Sequence, residues 1–344
     1  MDQKSRKVKT LKKPRVSVVT AFYNRGALVA ESIDSLLTQT LEDIEIIIVD
    51  DGSTDDTAAR LNDIKDERVR IISQANAGFT SAITRAVAES AGDYVALHGA
   101  GDLSRARRLS AQADYLDAND AVGVVGCRYT NDDVVVHLGV TTVERAPLLE
   151  TFMKGCRISH GEVMFRRTLY DRVGGYRRLF TYAQDMDLWL RMGEFCDYAI
   201  LPEILYDRRR LSEGVYMSPH AFYMQRKLAR VAVECVAQRQ KTGRDMIDRI
   251  GAAALFLSEP DRALSRTFTR RSLDFYAESH HESGIFMARM GWREWRDHRS
   301  FAGLVLAWLA TGQKRRHLLG LFLKYRARSR AKRSSFRATH GTPP

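Results

Sequence analysis

The sequence predicts an α/β protein whose mostly parallel sheet is flanked by helices and followed by a helical C-terminal region. Strand-like and helix-like segments alternate over the first 125 residues, which is typical of parallel strands joined by right-handed crossovers. Residues 44–49 read IEIIIV, a continuous apolar run that suits a strand covered on both faces. From about residue 216 onward the apolar residues recur at helical spacing.

Each element of the alternating part follows from its local sequence. The predicted strands are short β-branched or apolar runs: Arg15–Thr20, Ile44–Val49, Val69–Ile72 and Asp93–Leu97. The predicted helices have apolar residues at helical spacing: Ala27–Leu37, Asp56–Ile64 and Thr80–Ser90. Thr54 or Asp55 is the expected cap of the second helix, because both side chains can accept a hydrogen bond from its first turn.

Polar loops follow three of these strands. They read AFYN, DDGSTDD and HGAGD. In an open parallel sheet, ligands bind beyond the carboxyl ends of the strands. We therefore expect a binding site where these three loops meet.

Length and charge limit the class of protein. The 344 residues are 44% hydrophobic and 28% charged with 7 prolines, which excludes collagen-like and disordered chains and leaves one large domain or two moderate ones. The net charge of +12 lies in the tails, since seven of residues 1–15 and ten of residues 314–344 are Lys or Arg. Such tails are either solvated and disordered or bind an anionic surface, phospholipid or nucleic acid.

Cysteine spacing and hydropathy predict the compartment. Cys127, Cys156, Cys196 and Cys235 stand alone in the sequence, as expected of reduced, buried thiols. The apolar stretch 301–312 is about half as long as a membrane span, and the basic N-terminus lacks the apolar core of a secretory signal. We expect a cytoplasmic protein, peripheral on the cytoplasmic face of the membrane if its tails bind phospholipid.

Six segments resemble one known family, in the right order. They read RVSVVTAFYNRG, LLTQTLEDIEIIIVDDGSTDDT, NAGFTSAITRAV, DLSRARRLSAQADYL, SHGEVMFRRTLYDRVGGYRR and YAQDMDLWLRM. Over about residues 14 to 215 they resemble the family-2 glycosyltransferases of the GT-A fold. The resemblance implies an inverting enzyme that transfers a sugar from a UDP- or GDP-linked donor to a glycan or lipid-linked acceptor, in glycan or polysaccharide assembly.

The resemblance also implies a division of the chain. A basic tail covers residues 1–14, a GT-A glycosyltransferase domain residues 15–215, and a helical C-terminal region residues 216–323. A second basic tail, residues 324–344, is expected to be disordered.

The resemblance assigns the nucleotide-sugar to the ends of the first strands. Asp50 and Asp51 would accept hydrogen bonds from the base and the ribose, although Asp-Gly-Ser is also common turn chemistry. The other predicted residues of this site are Phe22, Tyr23, Asn24, Asn76, Gly78 and Asp102. An arginine common in the next helix of the family is here Ile83, with Arg85 two positions on.

The sequence departs from the family at its metal motif. Relatives end the fourth strand with Asp-x-Asp, whose carboxylates hold Mg²⁺ or Mn²⁺ against the diphosphate. Those positions are here Gly99 and Gly101, so Asp102 is the one candidate ligand left, and His98 either adds a nitrogen ligand or packs inward. Three interpretations stay open: weak metal binding through Asp102, metal-independent transfer assisted by arginines, and loss of catalysis. The glycines would also let the backbone approach phosphate.

The resemblance assigns the acceptor side to later segments. Asp185 would be the general base that removes the proton of the acceptor hydroxyl, with Gln184 where the family has Glu. His160 would contact phosphate, metal or acceptor, or cap a strand. Arg208 begins the run 208–210, which is either a flexible basic loop over the diphosphate or a solvated charge run.

The C-terminal region has predicted helices at Ala221–Arg239, Ala263–Tyr276 and Ser300–Ala310. Its last part intersperses arginines with the apolar residues Trp292, Trp295, Phe301, Trp308, Leu318, Leu321 and Phe322. This segment is either an interfacial helix on an anionic membrane or part of a helical domain that packs on the catalytic one.

Two alternative functions belong to other classes. A GT-A-like protein without catalysis would bind a nucleotide or a glycan-assembly partner. Nucleic-acid binding by the tails ranks last, because the chain has no nucleic-acid-binding motif and the N-terminal arm has no interleaved aromatic residues.

Overall fold

The computed structural model describes residues 13–136, 142–150, 158–209, 218–256 and 258–311, which form two compact units. A sheet of ten strands, counted over the described residues, lies in the unit that contains residue 13. Its strands are β1 (Val16–Phe22), β2 (Ile44–Asp50), β3 (Val69–Ser73), β4 (Tyr94–Leu97), β5 (Leu103–Ser104), β6 (Val122–Asn131), β7 (Val134–Val135), β8 (Glu144–Pro147), β9 (Met164–Arg166) and β10 (Asp197–Arg208).

The strand order combines a parallel part with antiparallel additions. It runs β3-β2-β1-β4-β9-β6-β10-β5, with β7 beside β6 and β8 beside β10. The four strands predicted from sequence pair in parallel, as do β6 and β10. Strand β9 lies antiparallel between β4 and β6, and β5, β7 and β8 are antiparallel to their neighbours. The predicted α/β class with its central parallel strands is confirmed.

The register of β1 and β2 brings their following loops together. Val16 pairs with Ile44 and Phe22 with Asp50, so both strands end at the same level. Strand β1 continues two residues past the predicted end at Thr20, because the side chain of Phe22 is completely buried in the hydrophobic core. The loop AFYN therefore contributes only its last two residues to the edge of the sheet.

Helices form most of the other regular structure in the described residues of the two units. They are α1 (Val29–Leu37), α2 (Thr57–Asn62), α3 (Phe79–Ala88), α4 (Arg108–Asp117), α5 (Arg167–Arg172), α6 (Gln184–Met192), α7 (Pro219–Thr242), α8 (Met246–Ile250), α9 (Arg262–Ala277), α10 (His281–Glu294) and α11 (His298–Ala310). Helix α2 is shorter than predicted. Its N-cap residue is Asp56, and the preceding Asp55 accepts the Thr57 N–H at 2.9 Å.

The core of the sheet unit lies on the strands that precede the polar loops. Val18, Ile46 and Ala96 of three adjacent parallel strands are fully buried together, with Ile33 of α1 and Leu109 of α4 packed in the same cluster. Helices α1 and α4 thus bury apolar residues against the sheet, as expected of amphipathic helices. This packing holds the carboxyl ends of the strands at one edge.

The second unit consists of residues 218–231 and 250–311 among those described. Its core contains Phe222, Phe268, Phe275 and Met287. The three helices predicted in the C-terminal region correspond to α7, α9 and α11, each with ends within three residues of the prediction. Among the described residues, no helix combines the length and apolarity that crossing a bilayer requires. The predictions at Leu318, Leu321 and Phe322 lie outside the described residues.

The cysteines in the described chain are free thiols. Cys127 and Cys235 are buried, and Cys196 is half-buried. Burial raises the pKa of each thiol to about 12, so these thiols stay protonated at neutral pH. Cys156 lies outside the described residues.

Candidate active site

The loops after β1 and β2 interlock through Asn24. Its backbone has φ 50°, in the left-handed region that Asn tolerates better than most residues. Its N–H donates to Ser53 Oγ at 3.0 Å, and its Oδ1 accepts the N–H of Thr54 at 2.8 Å. The next two residues extend this contact, since the Arg25 N–H donates to Thr57 Oγ1 at 2.8 Å. The predicted meeting of these loops is therefore found in the structure.

The two aspartates after β2 are buried and already bonded to protein. Asp50 Oδ1 accepts the Ser53 N–H at 3.2 Å and the Ser53 hydroxyl at 2.5 Å. Asp51 accepts Gln74 Nε2 at 2.7 Å and the N–H groups of Ala77 and Gly78, both at 2.9 Å. The Asp50 carboxylate thus stabilises the turn that follows β2, and the Asp51 carboxylate holds the loop after β3.

The exposed surface at this edge comes from neighbouring residues. Tyr23 exposes 46% of its surface, and Asn76 and Gly78 are exposed in the loop after β3. Gly78 has φ 83°, a conformation that glycine adopts without the steric cost of a side chain. The predicted role of Phe22 in binding the nucleotide-sugar is corrected here. Its buried side chain belongs to the core and is not available to a ligand.

Asp102 is the centre of a hydrogen-bonded cluster at the end of β4. Its Oδ2 accepts the Tyr206 hydroxyl at 2.7 Å, and its Oδ1 accepts the Arg209 N–H at 2.9 Å. Tyr206 Oη in turn accepts the Gly99 N–H at 2.8 Å. Burial raises the pKa of Asp102, and the hydrogen bonds from Arg209 and Tyr206 partly offset that rise. The residue joins the loop after β4 to the end of β10.

The His98 side chain packs inward, which is one of the two interpretations that the sequence left open. Its Nε2 lies 3.0 Å from Ser32 Oγ and its Nδ1 3.1 Å from Ser104 Oγ. Burial, with a smaller contribution from the Arg108 charge, lowers the pKa of His98 to about 3. Both ring nitrogens are used within the protein, so neither is left for a metal.

The described residues do not fit the cation site that the family resemblance implies. Both oxygens of Asp102 accept hydrogen bonds from protein, and the positions of the two missing carboxylates are glycines. Within the ranges that the structure describes, no three acidic, His or Cys side chains come together as metal ligands. No step through a metal ion is derived for this chain.

A buried arginine supports the cluster and was not predicted. Arg108 of α4 has no exposed surface. Its guanidinium donates to the carbonyls of Leu97 at 2.6 Å and Gly161 at 3.0 Å, and to Ser104 Oγ at 2.8 Å. It also lies 4.8 Å from the ring centre of Tyr206. Its position within a polar helix carries no periodicity signal that would mark it as buried.

The acceptor-side residues also come together. His160 Nε2 lies 2.7 Å from Tyr176 Oη, and the imidazole contacts the rings of Phe79 and Trp189 at 5.4 and 6.4 Å between centres. Burial lowers the pKa of His160, and the charge of Asp185 acts in the opposite direction. The His160 ring is thus enclosed by aromatic residues and lies within range of the Asp185 charge.

Asp185 lies in the first turn of α6, which Gln184 begins. Its Oδ1 accepts the Met186 N–H at 2.8 Å, and its side chain is half-buried. The N-terminus of a helix favours negative charge. No hydrogen bond to Oδ2 from a described residue is found, so this oxygen can accept a proton from a ligand.

Other residues of the same helix are structural. Asp187 accepts Arg191 Nη2 at 2.7 Å, and Arg191 donates to the carbonyls of Val173 and Gly175, each at 2.7 Å. This buried pair fixes the Gly-Gly turn that precedes Tyr176. The Asp187–Arg191 pair of the DLWLR segment thus supports the helix turn that carries Asp185.

The basic run at the end of β10 divides in two. Arg209 pairs with Glu31 at 2.6 Å. Arg208 is exposed, and no ion pair of its guanidinium with a described residue is found. Residue 210 lies outside the described ranges.

Comparison with known proteins assigns the family. Residues 17–231 match the family described as Glycosyl transferase family 2. The chain belongs to glycosyl transferase family 2. The match covers more than half of the chain and all the sites described above.

Relatives of this family-2 glycosyltransferase carry names of the same class. It is 33% identical over 213 residues to the putative glycosyltransferase EpsE of Bacillus subtilis, covering 58% of this chain and 75% of that protein. It is 28% identical over 205 residues to the chondroitin synthase of Escherichia coli, covering 58% of this chain and 29% of the synthase. The chain thus represents less than a third of the synthase.

A solved structure of low sequence identity shares the fold. The S. aureus TarS 1-349 crystal structure in complex with UDP-GlcNAc has a TM-score of 0.56 at 18% identity, covering 90% of this chain and 92% of that one. The crystal structure of S. aureus TarS 1-349 has a TM-score of 0.55 at 17% identity, covering 82% of this chain and 91% of that one. This family-2 glycosyltransferase therefore has the GT-A fold, which confirms the predicted resemblance.

Proposed function

We propose that this glycosyltransferase moves a hexosyl group from a UDP- or GDP-linked donor to a hydroxyl of a glycan or lipid-linked acceptor, with inversion, in polysaccharide assembly. The observation that supports the proposal is a series of interactions between the two sets of residues. Asp102 accepts a hydrogen bond from Tyr206, Gly161 packs against Tyr206, and the charge of Asp185 acts on the adjacent His160. We propose on this basis that the donor side and the acceptor side belong to one site.

Asp185 is the proposed general base. As the acceptor oxygen attacks the anomeric carbon, its proton passes to Oδ2 of Asp185, the carbon–oxygen bond to the diphosphate breaks, and the nucleoside diphosphate leaves with the electron pair. Attack opposite the leaving group inverts the anomeric centre. The hydrogen bond between His160 and Tyr176 orients the aromatic wall beside the base.

The nucleotide is proposed to bind at the interlocked loops. Tyr23, Asn76 and Gly78 offer the exposed surface there. Asp50 Oδ2 accepts no hydrogen bond from a described residue, so it is the oxygen we assign to the base or the ribose. Asp51 contributes by fixing the loop that carries Asn76.

The names of relatives support the substrate class. The relative from Escherichia coli is named a chondroitin synthase, an enzyme that assembles a polysaccharide. The TarS crystal structure is a complex with UDP-GlcNAc. We propose the same broad chemistry, a nucleotide-sugar and a glycan acceptor, for this chain.

We also propose a peripheral membrane association at the cytoplasmic face. Phe301 and Val305 lie one turn apart on α11 and expose 55% and 42% of their surfaces, while residues 314–344 hold ten basic residues and no acidic ones. Apolar side chains beside dense positive charge favour anionic bilayers. Co-sedimentation with vesicles that contain phosphatidylserine, and not with phosphatidylcholine vesicles alone, is expected. A Phe301→Ser/Val305→Ser variant should sediment less.

The catalytic proposal is tested by measuring turnover of nucleotide-sugar donors. UDP- and GDP-sugars are incubated with the protein, with and without a mixture of glycan acceptors, and free nucleoside diphosphate is measured. Turnover of one donor supports the transferase. Binding of a nucleotide without turnover of any donor would favour the non-catalytic alternative.

A further inference from the structure

The glycines at the metal motif lie close to neighbouring side chains. A Cβ placed on Gly99 would stand 2.3 Å from Asp102 Oδ2 and 3.3 Å from Tyr206 Oη. A Cβ on Gly101 would stand 2.5 Å from Leu28 Cδ1, and Gly101 has φ 99°. Contacts below 3.0 Å force a rearrangement, and a side chain at this φ is strained. The space that two metal-binding carboxylates would enter is therefore filled by Asp102, Tyr206 and Leu28.

The backbone of the same loop is also committed to protein contacts. The Gly99 N–H donates to Tyr206 Oη at 2.8 Å, and the Gly101 N–H donates to Ser32 Oγ at 3.2 Å. The interpretation in which these glycines present their N–H groups to phosphate is thus not supported. The charge of a bound diphosphate must be met by a side chain.

Arg208 is the side chain in the right place. It is the last residue of β10, and the following N–H, of Arg209, donates to Asp102. Two nearby arginines are already paired, Arg209 with Glu31 at 2.6 Å and Arg105 with Asp207 at 2.9 Å. Arg208 is exposed and has no such partner among the described residues. A guanidinium matches phosphate oxygens in a bidentate arrangement.

We propose that this enzyme binds the diphosphate of its donor without a divalent cation, with the Arg208 guanidinium supplying positive charge beside the rebuilt Gly99–Asp102 loop. The inference rests on the proposed function, because it concerns the same donor. Of the three interpretations that the sequence left open, it selects metal-independent transfer assisted by an arginine.

Calorimetry with UDP and GDP in excess EDTA, and again in excess Mn²⁺, tests the metal part. We expect the better of the two nucleotides to bind in both buffers with dissociation constants within about threefold. Binding that needs Mn²⁺, or that it tightens more than about tenfold, would overturn the inference and leave the proposed function standing. Failure of both nucleotides in both buffers would overturn the proposed function, and this inference with it.

Three variants test the role of Arg208 in EDTA. Arg208→Ala is expected to weaken nucleoside-diphosphate binding about tenfold or more, equivalent to about 1.4 kcal/mol, and Arg208→Lys to weaken it less. Arg107→Ala is the matched control, because Arg107 is also an exposed arginine without an ion pair to a described residue. Nucleoside monophosphate binding should fall less than diphosphate binding in Arg208→Ala. Equal affinity of Arg208→Ala and wild type would overturn the assignment of Arg208.

Discussion

The Tyr206 hydroxyl donates a 2.7 Å hydrogen bond to Asp102 while it accepts the Gly99 N–H at 2.8 Å. One phenol therefore holds the loop after β4 against the end of β10. It also leaves little space for a side chain at residue 161, since a Cβ on Gly161 would stand 2.5 Å from the same oxygen. The loop at the former metal motif is thus built around a tyrosine.

Tyr206→Phe should lower the free energy of unfolding by about 1–3 kcal/mol, because a buried N–H and a buried carboxylate oxygen each lose a partner. Urea unfolding followed by circular dichroism measures this change. Tyr198→Phe is a control in the same strand, at a buried tyrosine outside the Asp102 cluster. A loss in Tyr206→Phe no larger than in Tyr198→Phe would contradict the role given to this phenol.

The packing part of the loss in free energy of unfolding should be larger for Gly99→Ala than for Gly78→Ala. The added methyl group at residue 99 meets Asp102 Oδ2 at 2.3 Å, whereas the space around a Cβ on Gly78 is open within 4 Å. Gly78 has φ 83° and Gly99 does not have a positive φ, so the cost at residue 78 is one of backbone strain. Urea unfolding of Gly99→Ala, Asp102→Ala and the double variant gives a double-mutant cycle, in which the loss in the double variant should be smaller than the sum of the two single losses. A loss equal to that sum would show that the Asp102 carboxylate is not the obstacle.

Asp185→Asn should abolish sugar transfer while donor binding stays within about twofold of wild type, because the amide keeps the shape and loses the proton acceptor. Transfer is measured as nucleoside diphosphate released with acceptor present, and donor binding by calorimetry. Asp171→Asn, at an exposed aspartate of α5, is the control and should keep full transfer. Transfer by Asp185→Asn within a few-fold of wild type would remove Asp185 as the base.

Asp50 and Asp51 should respond differently to substitution by alanine. Asp51→Ala removes the acceptor of three hydrogen bonds and should lower the free energy of unfolding by about 1–3 kcal/mol. Both variants should weaken nucleotide binding, by a comparable 1–3 kcal/mol, Asp50→Ala through a lost ligand contact and Asp51→Ala through the displaced loop. Calorimetry with UDP and GDP, combined with unfolding curves, separates these causes. Unchanged affinity in both variants would remove this strand end from the site.

The strands and loops near the N-terminus were predictable because their signals are local. Ile44–Asp50 is an apolar run that ends in turn residues, and the register with β1 follows from the parallel crossover. The strand end at Phe22 was misjudged because AFYN looks polar as a whole, while Phe22 itself packs in the core. The short strands β5 and β9 have two and three residues, too few to show a period.

The contacts that rebuild the metal motif were not predictable from sequence. Tyr206 reaches Asp102 across 104 positions of the chain, and Arg108 finds its acceptors at Leu97 and Gly161 only in the folded state. Both groups are polar residues in segments without a distinctive pattern. The sequence revealed the missing carboxylates, and only the packing explains why glycine stands in their place.

The buried His98 should make stability depend on pH. Its pKa is lowered to about 3 in the folded state, chiefly by burial, while an unfolded histidine has a pKa of about 6.5. As the pH falls below about 6.5, the unfolded chain takes up a proton that the folded chain excludes, so the free energy of unfolding decreases until about pH 3, where both states are protonated. One such group contributes roughly 2 kcal/mol between pH 6.5 and 5, at about 1.4 kcal/mol per pH unit.

His98→Gln, which cannot titrate and can still bond to a serine hydroxyl, should remove this part of the slope. The slope of wild type minus variant is the measured quantity, because His160, whose pKa is also lowered, and Asp102, whose pKa is raised, contribute equally to both proteins. Urea unfolding at pH 7, 6 and 5 gives the two slopes. Parallel curves for the two proteins would mean that His98 accepts a proton in the folded state, against its enclosure by Ser32 and Ser104.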